Sequence, residues 1–398
     1  MSIRRRSWIT PKGVQKTAWV VDYTDTAGKR RLKTFGRKKE ADQFAATASV
    51  EVREGVHVAD SASATIAAAG KLWLASATAA GLERSTIASY EQHLRLHIVP
   101  YLGAIKISAL TIPSVRAFED KLRADGRSSA MARRVIVSLG TLLADAQERG
   151  LTRRNIVRDI RGRRGGKDER QEKRHKGRLK VGADIPTRDE VKALLAAAEG
   201  RWRPFLLVAV FCGLRASELR GLRWSDIDFE RREVRIHQRA DRFNAIGAPK
   251  SISGERKVPA PSVVVNALKE WKLACPKGAL DLVFPNGAGK VEELTNILRR
   301  GLRPTWIAAG VTVETGEIDR TGRPVVAAKY TGMHSLRHFY ASWCINRRED
   351  GGLALPPKTV HERMGHSTIA LTMDRYSHLF PSDDDGTELE QASAWLTN

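Results

Sequence analysis

Residues 213–228 read GLRASELRGLRWSDID, and the fold of the surrounding chain can be worked out from this stretch. The apolar run 205–211 precedes it and predicts a buried helix that Gly213 ends. Arg215 then stands at the start of the next helix, where unsatisfied backbone N–H groups favour an anion. The stretch therefore predicts two helices joined by a tight turn, with an arginine placed to meet a phosphate.

Two later motifs have the same character. His334 and Arg337 are three residues apart, a spacing that puts both on one face of a helix. Gly365 suits the end of a helix and is followed by His366, and Tyr376 comes ten residues after that histidine. Each element alone has an ordinary structural explanation, such as a surface charge or a half-buried aromatic ring. Their order along one chain makes the set specific.

The ordered set resembles the tyrosine recombinase family, and in particular its phage-type integrases. The family's three sequence boxes correspond to residues 213–228, residues 334–342, and residues 365–367 with Tyr376. The resemblance extends over nearly the whole chain. It implies that Tyr376 is the nucleophile and that the catalytic residues are Arg215, Lys250, His334, Arg337, His366 and Tyr376.

The catalytic lysine is assigned through the same resemblance. The family places a lysine on a β-hairpin, and residues 249–259 look like that hairpin. Lys250 is the first choice because the family's lysine directly follows a proline such as Pro249. Lys257 is the alternative.

These residue types suit attack on a phosphodiester. A tyrosine hydroxyl has a pKa of about 10 and needs activation, which histidines can provide. Arg215 and Arg337 can hold the non-bridging oxygens through forked, permanently charged donors, and Lys250 can protonate the departing 5′ oxygen. The resulting 3′-phosphotyrosine keeps the bond energy, so we expect no ATP, no metal and no other cofactor.

The composition agrees with a DNA-binding protein. Lys and Arg total 68 against 45 Asp and Glu, a formal net charge of +23 that favours a polyanion such as DNA. The three cysteines are far apart, which gives neither a disulfide framework nor zinc-type spacing. With no export signal and no apolar run long enough to span a membrane, we expect a cytoplasmic protein that joins the nucleoid when bound to DNA.

The predicted fold class is α+β and multidomain. Residues 1–58 are predicted to form a small β-sheet with one helix, resembling an arm-type DNA-binding domain, and residues 62–160 an all-helical domain resembling the core-site-binding domain. A basic linker at 161–182 leads to an α-rich catalytic domain with a small antiparallel sheet at 183–398. Residues 311–329 and 350–355 are predicted to be surface loops.

Basic residues cluster on the second predicted strand of the N-terminal unit and beside it. A two-stranded ribbon with a basic edge can enter a DNA groove, although a solvated charge run on a sheet edge is an equally good interpretation. The DNA-binding candidates are Lys29, Arg30, Arg31 and Lys33.

We therefore predict a site-specific integrase that integrates or excises a mobile element such as a phage genome. Its expected partners are double-stranded DNA attachment sites, three further copies of itself in a homotetramer on DNA, a DNA-bending host factor and an excisionase. The alternatives are a chromosome or plasmid dimer resolvase of the same family and a DNA-binding regulator that has lost catalysis. The N-terminal unit favours the integrase over the resolvase, and the intact catalytic set argues against the regulator.

Overall fold

The computed structural model describes residues 1–11, 13–55, 57, 59, 63–160, 179–318, 320 and 322–380. The chain divides into two compact units, Met1–Arg164 and Gly165–Asn398. Residues 161–178 of the predicted linker lie outside the described residues, and the predicted boundary near residue 58 stays a prediction. Within the described part of the chain, no helix is both long enough and apolar enough to cross a membrane.

The first unit begins with a three-stranded antiparallel sheet that packs against one helix. The prediction of a two-stranded ribbon was therefore wrong, because it missed the first strand of the sheet. The arginines at positions 4 to 6 of that strand hide the apolar alternation that predicts a strand. The missed strand pairs with its neighbour along its whole length. The strands lie side by side in the order β1 (Ser2–Ile9), β2 (Gln15–Thr24) and β3 (Arg30–Phe35), and the helix α1 (Lys38–Arg53) follows them in the chain.

The rest of the first unit is helical, as predicted. Thr111 and Ser128 cap two of its helices by accepting hydrogen bonds from backbone N–H groups at 3.3 Å and 3.2 Å. Apolar side chains that include Trp73 and Phe118 form one core. The helices are α2 (Ile66–Ala79), α3 (Arg84–His93), α4 (Val99–Leu102), α5 (Ile112–Ala124), α6 (Ser129–Glu148) and α7 (Ile156–Asp159), with a π-helical turn at Leu94–Ile98 between α3 and α4.

The second unit is a larger, α-rich structure built around one buried helix, α9, which packs against α11 and α14. Thr187 and Glu190 form a capping box at the start of α8. Its helices are α8 (Arg188–Ala197), α9 (Trp202–Cys212), α10 (Ala216–Gly221), α11 (Ser262–Ala274), α12 (Leu294–Asn296), α13 (Arg303–Ala308), α14 (His334–Ile345), α15 (Pro357–Met364) and α16 (Ile369–Tyr376).

The strands of the second unit form small antiparallel sheets, which confirms the α+β class. β4 (Ile227–Asp228), β5 (Glu233–Ile236) and β8 (Arg256–Pro259) make a three-stranded sheet, and β6 (Arg239–Ala240) pairs with β7 (Ile246–Gly247). β9 (Thr312–Ile318) and β10 (Pro324–Ala328) form a hairpin. The prediction of a surface loop at 311–329 was therefore wrong, because the backbone pairing of its β-branched residues outweighs the glycines that suggested a loop.

Candidate active site

Gly213 lets the chain reverse between α9 and α10. Its φ of 62° lies in the left-handed region, and a Cβ built there would come within 2.1 Å of the Tyr340 ring. Both the backbone conformation and the close packing therefore require glycine at this position. The reversal makes Arg215 the N-cap residue of α10, which confirms its predicted place at the start of a helix.

The Arg215 side chain connects α10 with the turn that follows α15. Its Nη1 donates to Oε1 of Glu218 at 2.7 Å, and its Nη2 donates to the carbonyl oxygen of Gly365 at 2.8 Å. The side chain keeps 32% of its surface exposed. The guanidinium is thus held in place and can still meet a ligand that arrives from solvent.

Glu218 is a buried carboxylate surrounded by arginines. Two nitrogens of Arg256, on β8, donate to its oxygens at 3.1 Å and 2.8 Å. Burial alone would raise the pKa of Glu218, but the charges of Arg256, Arg337 and Arg215 and the hydrogen bonds from Arg256 lower it to about 2. The carboxylate is therefore ionised at neutral pH and holds two guanidinium groups in fixed positions.

Arg337 lies in the first turn of α14 and is almost completely buried. Its Nη1 donates to the carbonyl oxygen of Gly213 at 2.6 Å, and its Nη2 donates to that of Met364. Burial, and next the charge of Arg215, lower the pKa of Arg337 to about 9, so the group remains cationic at neutral pH. Arg337 thereby joins the end of α9 to the end of α15.

His366 is buried beside Tyr376. Its Nδ1 lies 2.8 Å from Oγ1 of Thr372, and its ring stacks on the tyrosine ring at a centroid distance of 6.3 Å with 6° between the planes. Burial, followed by the charges of Arg337 and Arg215, lowers the pKa of His366 to about 3. The imidazole is neutral at neutral pH and can donate one N–H.

Tyr376 ends α16 and is 1% exposed. Its Oη lies 2.6 Å from Nδ1 of His338, on α14. Burial raises the pKa of Tyr376 to about 12 although the charges of Arg337, Arg375 and Arg215 act in the opposite direction. The hydroxyl therefore keeps its proton at neutral pH, and it lies within the electric field of three guanidinium groups.

His334 is exposed at the start of α14, three residues before the buried Arg337. Its ring meets the His338 ring edge to face, with centroids 5.4 Å apart. Partial desolvation by the surrounding protein, and then the charges of Arg337 and Arg375, lower the pKa of His334. Burial, and then the charge of His334, lower the pKa of His338 to about 4.

Lys250 is exposed in the loop between β7 and β8. The predicted hairpin was wrong here, because β7 pairs with β6 while β8 pairs with β5. The loop nevertheless reaches the site: a Cβ built on Gly365 would come within 2.8 Å of the Ser253 carbonyl oxygen. Lys257 lies on β8 beside Arg256, and its Nζ is 3.7 Å from Glu233 across the sheet. Strand alternation directs it away from Glu218, which favours Lys250.

The sequence matches known protein families in both units. Residues 186–382, which contain every residue of the predicted catalytic set, match the phage integrase family, and residues 68–123 match the phage integrase N-terminal SAM-like domain. The chain belongs to the phage integrase family of tyrosine recombinases. It is 27% identical to a "Tyrosine recombinase XerC-like" protein of Caldanaerobacter subterraneus subsp. tengcongensis, and the match covers 88% of each chain. It is 32% identical to the transposase of transposon Tn916 from Enterococcus faecalis, over 44% of this recombinase and 41% of the transposase.

Solved structures share the fold of this recombinase. The Tn1549 transposon integrase in complex with transposon right end DNA superposes with a TM-score of 0.59 at 19% identity, over 83% of this chain and 99% of that chain. The lambda integrase dimer bound to a COC′ core site superposes with a TM-score of 0.55 at 17% identity, over 95% of each chain. At these identities the likeness extends to the fold alone.

Three residues of the recombinase's site had no predicted role although the sequence motifs contain them. Glu218 lies three residues after Arg215, a spacing that favours a side-chain pair. His338 lies four residues after His334 on the same helix face. Arg256 carried no local signal, because its contact with Glu218 joins residues that are 38 positions apart.

The pleat of the N-terminal sheet divides the recombinase's four DNA-binding candidates between different surroundings. Lys29 lies in the exposed turn before β3, and Arg30 lies on the open face, where its Nε donates to Asp22 at 2.9 Å. Arg31 and Lys33 point to the face that packs on α1. There Arg31 binds Asp25 at 2.7 Å, and Nζ of Lys33 lies 4.3 Å from the centre of the Phe44 ring. The four side chains therefore do not form one surface.

Proposed function

We propose that this chain is a site-specific DNA recombinase of the integrase type that cleaves and rejoins strands through a 3′-phosphotyrosine at Tyr376. The observation that carries the proposal is the Tyr376 hydroxyl, which lies in the field of Arg337, Arg375 and Arg215. A tyrosine that attacks a phosphodiester needs cations at the phosphate to stabilise the charge of the transition state. The proposed substrate is double-stranded DNA, and the net charge of +23 supports it.

In the proposed reaction each group has one task. Arg215 and Arg337 hold the non-bridging oxygens, since their hydrogen bonds to the described residues use only part of the donor set of each guanidinium. His334 and His366 donate hydrogen bonds to the phosphate. Lys250 protonates the departing 5′ oxygen. These cationic groups supply the charge stabilisation, so the proposed reaction needs no metal and no ATP.

We further propose that the recombinase acts on a mobile element. The similarity to the Tn916 transposase and to the "ICEBs1 integrase" of Bacillus subtilis supports this role, as does the three-stranded sheet that precedes the helical part. The alternative is a dimer resolvase of the same family. We expect the recombinase to work as a homotetramer on its attachment sites, an assembly that one solved relative, a lambda integrase tetramer bound to a Holliday junction, supports.

Covalent capture tests the proposal. The full chain is mixed with duplexes of random core sequence, each nicked so that cleavage releases a short 5′-hydroxyl fragment, and protein–DNA adducts are isolated under denaturing conditions. We expect recovered duplexes to share a sequence and the adduct to map to Tyr376. Absence of any adduct, or an adduct at another residue, would refute the proposed reaction.

A second assay separates the integrase from the resolvase. Two recovered sites are placed on different DNA molecules or as repeats on one plasmid. An integrase should join separate molecules, whereas a resolvase should act on the repeats alone. Any requirement for an added DNA-bending host protein or an excisionase would appear in the same assay.

A further inference from the structure

The Tyr376 hydroxyl is in contact with a histidine that the proposed reaction leaves without a task. His338 is buried on α14, and its Nδ1 lies 2.6 Å from Oη of Tyr376. Within the part of the chain that the structure describes, neither His334 nor His366 makes a hydrogen bond to that oxygen. The two histidines of the predicted set are therefore neighbours of the nucleophile rather than its direct partners.

We propose that His338 is the catalytic proton acceptor of Tyr376, an inference that rests on the proposed function. As Oη of Tyr376 forms its bond to phosphorus and the bond from phosphorus to the 5′ oxygen breaks, the phenolic proton moves to Nδ1 of His338. The 5′ oxygen takes its proton from Lys250. In the rejoining step both protons return, so the cycle leaves each group in its starting state.

The direction of the hydrogen bond agrees with this role. Burial and the charge of His334 keep His338 neutral, and burial keeps the proton on Tyr376, so at neutral pH the hydroxyl donates and the imidazole nitrogen accepts. The edge-to-face contact with His334 and the helix itself fix the ring. The groups that act on the charge of His338 are His334, Arg337, Arg375 and Asp184.

The test uses single-turnover cleavage by the full chain, with a duplex recovered in the covalent capture assay. His338→Asn can place an amide oxygen near the position of Nδ1 but cannot take up a proton. We expect this variant and His338→Ala to cleave ~10² to 10⁴ times more slowly than wild type. The matched control is His237→Asn, at a half-buried histidine directly after β5, which should cleave at the wild-type rate. Thermal unfolding and DNA affinity verify that each variant is folded.

Two further measurements distinguish proton transfer from positioning. With a sulfur atom in place of the 5′ bridging oxygen, the leaving group needs no proton, so the defect of Lys250→Ala should vanish while that of His338→Asn persists. Between pH 7 and 9 the His338→Asn rate should rise about tenfold per unit, because tyrosinate must then form without a base, whereas the wild-type rate should change little.

The possible failures are separable. If wild type forms no adduct, the proposed function and this inference both fall. If wild type forms the Tyr376 adduct and His338→Asn cleaves within about threefold of it, the hydrogen bond only positions the hydroxyl and the inference is refuted. If the variants do not fold, nitrogen NMR of histidine-labelled wild type decides: an unprotonated Nδ1 on His338 at pH 7 supports the inference, and a protonated one refutes it.

Discussion

Nη2 of Arg256 lies 2.8 Å from Oε2 of Glu218, and both side chains are buried. This pair joins β8 to α10, and the same carboxylate also holds Arg215. Glu218 therefore sets the position of a guanidinium that faces the proposed phosphate site. A buried carboxylate of this kind contributes through geometry and through the cost of leaving its partners unpaired.

Replacing Glu218 by Gln should destabilise the fold. The change leaves Arg256 without its buried counter-charge, and breaking such a pair typically costs ~3 to 5 kcal/mol. Denaturant unfolding of the second unit at pH 7 measures the loss. The control is Glu233→Gln, which removes a half-exposed carboxylate 3.7 Å from Lys257 and should cost less than ~1 kcal/mol. Equal stability of the two variants would show that the buried pair of Glu218 and Arg256 does not contribute to the stability of the fold.

The stability difference between wild type and Glu218→Gln should depend on pH. The pKa of Glu218 is lowered on folding, so its contribution to stability is present above the unfolded pKa of about 4.3 and is lost as the pH falls towards about 2. The lowering of the Glu218 pKa on folding corresponds to about 3 kcal/mol in the free energy of unfolding when the carboxylate is fully ionised. Unfolding curves at pH 7, 5 and 3 should show the same difference at the first two values and a smaller one at pH 3.

Tyr376→Phe should bind DNA but form no covalent adduct. The phenyl ring can keep the stacking on His366, while the hydroxyl that contacts His338 is lost. Denaturing gels of the nicked duplex measure the adduct, and a gel-shift assay measures binding. An adduct formed by this variant would show that another residue is the nucleophile, and Tyr340 would be the first candidate.

Arg337→Lys should reduce single-turnover cleavage by ~10² to 10³ while the charge is kept. The planar guanidinium of Arg337 can donate to the carbonyl oxygens of Gly213 and Met364 and still hold a phosphate. The single ammonium group of lysine cannot make all of these contacts. Arg348→Lys, at an exposed arginine after α14, is the matched control and should cleave normally. Near-normal cleavage by Arg337→Lys would remove this residue from the phosphate-holding role.

Arg30→Ala should weaken binding of arm-type DNA sites and spare cleavage of an isolated core site. Arg30 lies on the open face of the sheet, where it can contact a phosphate. Loss of one phosphate contact should reduce the slope of log affinity against log salt concentration by about 1. Arg31→Ala is the comparison, because Arg31 binds Asp25 on the packed face and should affect folding more than binding. Equal loss of arm-site affinity in both variants would contradict the division between the two faces.

Local patterns in the sequence account for much of the fold. The helix of the N-terminal unit, the helical part that follows it and the end of a buried helix at Gly213 agree with the predictions. These signals are properties of a few consecutive residues, such as apolar spacing and side-chain caps. β1 and the β9–β10 hairpin were missed because backbone pairing stabilises them without a clear side-chain pattern.

The sequence by itself determined the family and the order of the catalytic candidates, since both depend on residue types in local motifs. Tertiary structure alone decided which of these groups touch. Arg256 reaches Glu218 across 38 positions, and His338, rather than His334 or His366, makes the hydrogen bond to the Tyr376 hydroxyl across another 38. No local pattern encodes such contacts, because they arise where separate helices and strands are brought together by a common core, and burial in that core then sets the pKa values of the groups that meet there.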